Sequence, residues 1–473
     1  MVDGRELAAQ FENAADFETR KVLCGGQLLT VLFLDGLTSG GDIAEQVVRP
    51  LAQMTDEARE EVLFTRALQG GVWCASVKEP ESTQQAAELL VNGFCVILFP
   101  KSGKALGCEV KTGEKRSPSP PETENTVKGA KDAFTETLRT NTSLVRRHLR
   151  TPGLRLTETV VGKRTLTKVP VCWIDRLTDP ELPRRMQERL SSIDIDGALS
   201  PAAIEEYVTG SRRTAFPLLE YTERTDHFCQ GLLDGQVGLL ADGLPLGYLA
   251  PVGLGRLMRS PEDRATDFFS ASMLRLLRYA ALGVSLLLPA LYAAMAMFHQ
   301  QMLPTKLLLS IIESKQNVPF STLLEVLGLL CAFELLQQAG LHLPQAVGTA
   351  VSIIGGLVVG TAAVDAKLVS PAALIVTASS GICGFTLPNR ELSDAVRLWR
   401  FVLTVLAGLW GLFGVTVGLL LLLTELAGLE SLGRSYLSPF GRAEVKGALV
   451  RPRLVRQKWR DGALKPMDDQ NQR

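Results

Sequence analysis

The sequence predicts an α/β soluble N-terminal region of two duplicated subdomains, followed by an all-α transmembrane domain of four or five helices. Three observations support this prediction. Residues 1–270 alternate charged and apolar stretches, residues 279–430 are nearly free of charge, and one pattern of strands and helices occurs twice in the first half. A chain of 473 residues also exceeds the size at which a single hydrophobic core keeps growing.

The composition sets aside several classes of function. The formal net charge of zero gives no reason to propose nucleic acid as a partner, and aromatic residues, at 6% of the chain, supply few stacking platforms for bases. The eight cysteines form no CxxC pair, the four histidines are isolated, and no HExxH, GxSxG, P-loop or GxGxxG motif occurs. We therefore expect no enzymatic activity, no cofactor, no metal site and no nucleic-acid partner.

The duplication appears as two pairs of matching segments. Residues 27–38 and 169–178 are apolar strands that end in Leu-Asp-Gly-Leu-Thr and Ile-Asp-Arg-Leu-Thr. Residues 86–107 and 229–249 each have the pattern of a short helix, a strand, a turn with glycine and a second strand. Because the spacing between the segments is nearly the same in both copies, we expect two related α/β subdomains.

Polar residues at the ends of these elements are more simply explained by turns and helix caps than by catalysis or metal binding. An aspartate at the end of a strand, such as Asp35 or Asp175, is typical of a turn or a helix cap.

After a Pro/Ser/Glu-rich linker comes an amphipathic helix with a basic cluster, which can form a solvated face or contact a partner or anionic headgroups. This basic cluster consists of Arg146, Arg147 and Arg150.

The composition shifts along the chain predict five regions. They are a first cytoplasmic α/β subdomain at 1–112, a linker at 113–128, a helix plus second α/β subdomain at 129–265, a transmembrane helical domain at 266–430, and a basic cytoplasmic tail at 431–473. Residues 1–20 lack the basic start and apolar run of a secretory signal, which favours a cytoplasmic N-terminal region. The basic tail favours the same side for the C-terminus.

Five hydrophobic segments are candidates for the membrane domain, in which a crossing helix needs about 20 apolar residues. Four of them are predicted to cross, and the segment with Glu325 and Glu334 is predicted to be amphipathic or re-entrant. The candidate segments are 279–301, 320–337 (the amphipathic or re-entrant one), 343–364, 368–388 and 398–424.

The third segment carries small residues at every fourth position, which is typical of close helix packing or of a face that lines a pore. The sequence leaves both interpretations open and does not select the pore-lining face. Our pore or gating candidates, including the one carboxylate expected inside the membrane, are Glu325, Ser352, Gly355, Gly356, Val358, Gly360, Thr361 and Asp365.

Further glycines in the third and last segments are interpreted as helix contacts. These packing candidates are Gly348, Gly408, Gly411, Gly414 and Gly418. Most of the few charges beside the membrane segments, a set that includes Arg397 and Arg400, are expected to be solvated loop charges or anchors at a helix end.

The chain resembles the A-subunit family of bacterial spore germinant receptors, and the resemblance runs over nearly its whole length. The segments that carry it are residues 32–40, 129–141, 221–243, 318–389 and 392–401. Positions that match the family pattern are Glu325, Glu334, Gly355, Gly356, Gly360, Asp365, Pro371, Pro388 and Asn389. At the matching position Asp365 the family usually has Glu, and Leu330 departs from the pattern because it stands where the family has an acidic residue.

The resemblance implies a subunit in the inner membrane of dormant spores. Its implied partners are further copies of itself, as a homo-oligomer that can be a pentamer, a transporter-like B subunit, a lipoprotein C subunit, membrane lipids and monovalent cations. The implied function is a nutrient (germinant) receptor subunit that oligomerises into a gated cation channel and triggers germination. The alternatives are a stage V sporulation-type channel paralogue that amplifies ion release, or a scaffold subunit that does not conduct.

Overall fold

The computed structural model describes most of the chain. The described residues are 2–54, 59–111, 121, 124, 128–210, 214–342, 360–440, 445–453, 455, 457, 459–460, 462–468 and 470–471.

Two five-stranded sheets form the N-terminal half, and they have the same topology. The first sheet has the order β1-β2-β4-β5-β3 and the second has the order β6-β7-β9-β10-β8, with every neighbouring pair antiparallel. Each strand of the second sheet thus occupies the place of the strand five numbers earlier, which confirms the predicted duplication. The strands are β1 Phe17–Cys24, β2 Gln27–Leu34, β3 Val77–Lys78, β4 Phe94–Phe99, β5 Lys104–Glu109, β6 Leu154–Val161, β7 Thr167–Ile174, β8 Glu220–Thr222, β9 Val237–Leu240 and β10 Gly247–Ala250.

The helices divide between the two halves of the chain. Those around the sheets are α1 Gly4–Gln10, α2 Gly40–Asp42, α3 Arg49–Gln53, α4 Glu60–Arg66, α5 Thr83–Val91, α6 Leu138–His148, α7 Glu181–Ser191, α8 Ala202–Thr209, α9 Thr225–Leu233, α10 Leu254–Leu257 and α11 Glu262–Ala265. Those of the C-terminal half are α12 Phe268–Met297, α13 Thr305–Lys315, α14 Thr322–His342, α15 Gly360–Asp365, α16 Pro371–Phe385, α17 Arg390–Gly428 and α18 Val445–Leu449.

Continuous apolar runs form the middle strands because both faces of each sheet are covered. All six residues of β4 and all four of β9 are buried. Beside β4, Ala86 and Leu90 of α5 belong to the core on one face, and Leu63 of α4 belongs to the core on the other. A strand covered on both faces has no polar side to present, which explains the absence of alternation in these runs.

The two subdomains are joined by a buried ion pair. Arg146 of α6 donates from Nε and Nη2 to the two carboxylate oxygens of Asp16, each at 2.7 Å. The interpretation of Arg146 as part of a solvated face is therefore wrong, since it is only 1% exposed. Backbone bonds reinforce the junction, because Ala15 donates its N–H to the carbonyl of Leu156 at the start of the second sheet.

Three helices among the described residues are long and apolar enough to cross a membrane, and a fourth apolar helix is shorter. The three are Phe268–Met297, Thr322–Ala339 within α14, and Arg390–Gly428. The shorter one, α16, has 15 residues and therefore spans about 22 Å, less than the ~30 Å of a bilayer core. The predicted segment 343–364 lies largely outside the described residues.

The last of these helices is a hairpin rather than one straight span. Gly411 has φ 62° and ψ −142°, which interrupts the helix. Beyond it, Gly418 lies against Leu403, and Leu422 and Leu426 share one core with residues near the start of α17. Leu403 and Gly418 would be about 22 Å apart in a continuous helix. The expectation of a single span at 398–424 is therefore corrected to two antiparallel halves.

Contacts along the helices give the direction of each one. His299, just beyond α12, meets the turn at Gly411, and Leu323 at the start of α14 lies against Gly408. Near its other end α14 pairs with α17 through Glu334 and Arg397. Helix α14 thus runs antiparallel to the first half of α17 inside the bundle, whereas the sequence predicted an amphipathic or re-entrant segment.

The C-terminal segment packs back onto the second subdomain. Ser431 donates from Oγ to the carbonyl of Leu218 at 2.6 Å, and Met467 donates its N–H to the carbonyl of Leu177 at 2.8 Å. The start of α12, both ends of α17 and the second sheet consequently lie at one end of the bundle. The turn at Gly411 lies at the other end.

Candidate functional site

Glu325 of α14 is buried where four helices meet. It is 2% exposed, and its Oε1 accepts a hydrogen bond from the backbone N–H of Ser370. Lys315 at the end of α13 brings its Nζ to 3.5 Å from Oε2. Tyr292 of α12 belongs to the same core.

The chain locally places a helix N-terminus against this carboxylate. Ser370 is the N-cap of α16, its Oγ accepts from the N–H of Ala373 at 3.3 Å, and Pro371 takes the first helical position. The N-terminal N–H groups of a helix carry partial positive charge, which favours a nearby anion. Glu325 is thus stabilised by a helix dipole and an ammonium group.

One carboxylate oxygen and one hydroxyl group of this site have no hydrogen-bond partner among the described residues. Glu325 Oε2 and Tyr292 Oη have no hydrogen-bond partner there, and the 3.5 Å to Lys315 is an ion-pair distance longer than an ordinary hydrogen bond. A buried carboxylate oxygen with an incomplete set of donors can accept a further donor or a cation. Such a group inside an apolar bundle marks a candidate functional site.

A second, half-buried ion cluster lies further along α14. Arg397 of α17 donates from Nη1 to both carboxylate oxygens of Glu334, at 2.9 and 3.2 Å. Its Nη2 donates to Asp394 one turn earlier on the same helix. The sequence interpretation of Arg397 as a solvated loop charge or anchor is therefore wrong, because it joins α14 to α17.

Arg400 lies deeper in the bundle and was also misassigned from the sequence. It is 3% exposed, its Nη1 donates to Ser380 Oγ of α16 at 3.2 Å, and its Nε has no partner among the described residues. Ser380 in turn donates to the carbonyl of Ser285 in α12 at 2.8 Å. The missed signal is the start of the helix, since Asn389 caps α17 and places Arg400 three turns inside it.

The glycines predicted to pack against helices divide between three roles. Gly408 faces Leu323 of α14, and Gly411 forms the turn of the hairpin. Gly414 and Gly418 face the first half of the same hairpin. The glycine row therefore does not form one stripe down a single helix, as its spacing suggested.

The pore candidates of the third segment are only partly described. Gly360 is buried, and a Cβ on it would lie 3.5 Å from Leu374 of α16, whereas Thr361 and Asp365 are exposed. Asp365 is therefore exposed, in contrast to the buried Glu325. The remaining candidates lie outside the described residues: Gly348, Ser352, Gly355, Gly356 and Val358.

A network of ion pairs, most of them buried, connects the second sheet to the bundle. Arg256 of α10 donates from Nε to Glu220 of β8 at 2.7 Å and from Nη1 to Asp234 at 3.0 Å, and Asp234 also accepts from Arg264 of α11 at 3.0 Å. Burial raises the pKa of Glu220, but the charges of Arg256 and His227 outweigh it and hold the pKa at about 2. The network is therefore ionised at neutral pH.

The next ion pairs reach α12 itself. Asp263 of α11 is 1% exposed and accepts from Arg275 at 3.1 Å and from Arg278 at 2.8 Å. Arg275 also donates to the carbonyl of Gly447 in the C-terminal segment at 3.2 Å. Displacements of α11 relative to the second sheet would thus be transmitted to the start of α12.

Comparisons with known proteins give consistent matches over nearly the whole chain. The model of the family described as Bacillus/Clostridium GerA spore germination protein matches residues 5–466. The chain is 36% identical to the uncharacterized membrane protein YfkQ of Bacillus subtilis, over 92% of this chain and 84% of that protein. It is 34% identical to spore germination protein KA of Bacillus subtilis, over 94% and 83% of the two chains, and 31% identical to spore germination protein GerLA of Bacillus cereus, over 93% and 90%.

One solved structure is also similar to part of the chain. It is the crystal structure of the N-terminal domain of the A subunit of the Bacillus megaterium spore germinant receptor GerK3. The match has a TM-score of 0.40 and 22% sequence identity, and it covers 52% of this chain and 92% of that one.

Proposed function

Because the chain belongs to the family of Bacillus/Clostridium GerA spore germination proteins, we propose that it is the membrane subunit of a nutrient (germinant) receptor complex in the spore inner membrane. We propose further that copies of it assemble, as a pentamer or another ring, around a gated cation pathway. Its partners in this proposal are a transporter-like B subunit and a lipoprotein C subunit. Its role is non-enzymatic.

The observation that carries the channel proposal is the burial of Glu325 inside an apolar bundle. A carboxylate that faced lipid would cost several kcal/mol, and this one is held instead against a lysine and a helix N-terminus. Such a carboxylate with one incompletely satisfied oxygen can interact with a passing monovalent cation.

The orientation follows from the ends of the helices. Both ends of α17 and the start of α12 lie beside the second sheet, and the C-terminal segment packs there as well. A single side therefore holds the N-terminal subdomains and the tail. We assign this side to the cytoplasm, since the tail is rich in Lys and Arg.

The test is ion flux through the purified full-length chain in liposomes loaded with a potassium-sensitive dye. Cation flux from this chain alone, and its absence from empty liposomes, is the expected result. A properly folded oligomer that stays sealed in every condition would favour the scaffold role, with conduction left to a partner subunit. Neighbouring genes for a B-type transporter and a lipoprotein would separate a receptor subunit from a stage V sporulation-type paralogue.

A further inference from the structure

A cavity of about 250 Å³ lies between the second sheet and the two short helices that precede α12. The residues that matter for its chemistry are Glu220, Asp226, His227, Arg256, Arg259 and Arg264. At about 30 Å³ per water molecule, it has room for a small polar group. It lies outside the helical bundle that carries the proposed channel, so its occupant can be tested separately.

The carboxylate oxygens that line this cavity already accept hydrogen bonds or form ion pairs. Glu220 has Oε1 3.2 Å from Nε2 of His227, and its Oε2 accepts from Arg256. Asp226 accepts from Arg224 at 3.0 Å through Oδ1 and at 2.6 Å through Oδ2. Glu124, which lies near His227, is half-buried, and this partial burial raises its pKa. Little acceptor capacity is therefore left for a cation.

Hydrogen-bond donors, in contrast, are abundant among the residues that line the cavity. Each of the three guanidinium groups carries five N–H donors. Arg256 and Arg264 share a single oxygen of Asp234, so their guanidinium groups keep N–H donors for a further acceptor. The remaining hydrogen-bond capacity at the cavity thus consists mainly of cationic donors.

We propose that this cavity binds a phosphate group. Guanidinium groups match the oxygens of phosphate with paired, charge-assisted hydrogen bonds. The phosphate can belong to a small soluble anion or to the headgroup of an anionic lipid. The second source is within reach because α12 begins directly after α11, and its first turns expose Phe269 and Met273.

An occupant at this place would fasten the α10–α11 segment to the second sheet. Ser260, which also lines the cavity, donates its N–H to Asp263 at 3.3 Å, and Asp263 holds Arg275 and Arg278 of α12. Phosphate binding would therefore restrain the start of α12 from the side of the soluble subdomains.

The test uses the full chain in phosphatidylcholine nanodiscs, with inorganic phosphate titrated against chloride at equal ionic strength. Arg264→Gln removes one lining guanidinium at a side chain that is 42% exposed, and Asp234 keeps Arg256 as its partner. The matched control is Arg184→Gln on α7, whose side chain is exposed. We expect phosphate to raise the melting temperature of the wild type and of Arg184→Gln, with binding about tenfold or more weaker in Arg264→Gln.

A second arm replaces phosphatidylcholine with phosphatidylglycerol and omits soluble phosphate. Stabilisation in that arm alone, lost in Arg264→Gln, would assign the site to a lipid headgroup. Hydrogen exchange of the wild type reports independently of any variant, and occupancy should slow exchange at residues 225–234 and 254–265 but not in the first sheet. No protection in either arm, or equal stabilisation of Arg264→Gln and wild type, would overturn the proposal.

Discussion

Gly411 lies against His299, where the turn inside α17 meets the end of α12. A Cβ added to Gly411 would stand 2.8 Å from Cε1 of His299 and 3.0 Å from Cβ of Phe298. The backbone there has φ 62° and ψ −142°, a combination that residues with a Cβ rarely adopt. The hairpin consequently depends on glycine at this position.

We therefore expect Gly411→Ala to destabilise the bundle by roughly 1–3 kcal/mol, through backbone strain and the contact with Phe298. The melting temperature of the purified protein in detergent measures the effect. Gly328→Ala in α14 is the matched control, because a Cβ there meets no atom of the described residues within 4 Å and alanine favours a helix. An unchanged melting temperature for Gly411→Ala would contradict the hairpin turn.

A second prediction concerns the charge of Glu325. In Glu325→Gln the amide oxygen can still accept from the N–H of Ser370, but the negative charge beside Lys315 is gone. If the carboxylate attracts cations, flux through liposomes should fall while assembly stays intact. The loss should be greatest at low ionic strength, where screening is weakest.

Glu313→Gln on the exposed face of α13 is the control for this charge change. It should leave flux unchanged at every salt concentration. Equal flux through Glu325→Gln and the wild type across the salt series, at equal protein levels, would reduce Glu325 to a structural residue that fixes the start of α16.

Arg397 and Arg400 differ in their partners and should differ in their mutants. Arg397→Met leaves the half-buried Glu334 without its guanidinium partner, so we expect a loss of roughly 0.5–1 kcal/mol in stability. Arg400→Met removes a buried charge that has a hydroxyl but no carboxylate bonded to it among the described residues, so its melting temperature should not fall. A larger destabilisation by Arg400→Met than by Arg397→Met would contradict the assigned contacts.

Repeated strand endings carry long-range information in this sequence, whereas the spacing of its glycines does not. The duplicated sheets could be predicted because each copy keeps the same strand endings, and Asp35 and Asp175 stand at equivalent positions. The hairpin could not be predicted, because a row of glycines has the same spacing whether it faces another helix or the other half of the same hairpin. Gly411 becomes distinguishable from Gly408 only through its backbone angles.

The buried charges were missed for a related reason. A charge that flanks an apolar run can end the helix or lie inside it, and composition alone does not separate the two. The Asn389 cap, whose Oδ1 accepts from the N–H of Leu392 at 2.9 Å, starts the helix before Arg397 and Arg400 and so places both in the bundle. Lys315 was missed because its approach to Glu325 depends on the fold of α13 against α14.

The last prediction concerns a pH-dependent contact between the segment after the linker and the second subdomain. Nε2 of His148 lies 2.7 Å from Oδ2 of Asp132, and Thr225 donates from Oγ1 to the same oxygen at 2.6 Å. The hydrogen bond with Asp132 raises the pKa of His148, and the hydrogen bond from His148 lowers the pKa of Asp132 to about 2. The folded protein thus stabilises the charged forms of both groups relative to the unfolded chain.

The sign of the pH effect follows from these two shifts. The contribution of His148 to stability is complete below its unfolded pKa of about 6.5 and is lost as the pH rises through its raised folded pKa. The contribution of Asp132 to stability is present above its unfolded pKa of about 3.9 and is lost as the pH falls towards its lowered folded pKa. We therefore expect residues 133–137, where Phe134 donates its N–H to the carbonyl of Glu223, to be most protected from hydrogen exchange between those limits. After correction for intrinsic exchange, protection should fall above that window in the wild type, whereas His148→Gln should show little pH dependence. The same decline in both proteins would assign the effect to other groups.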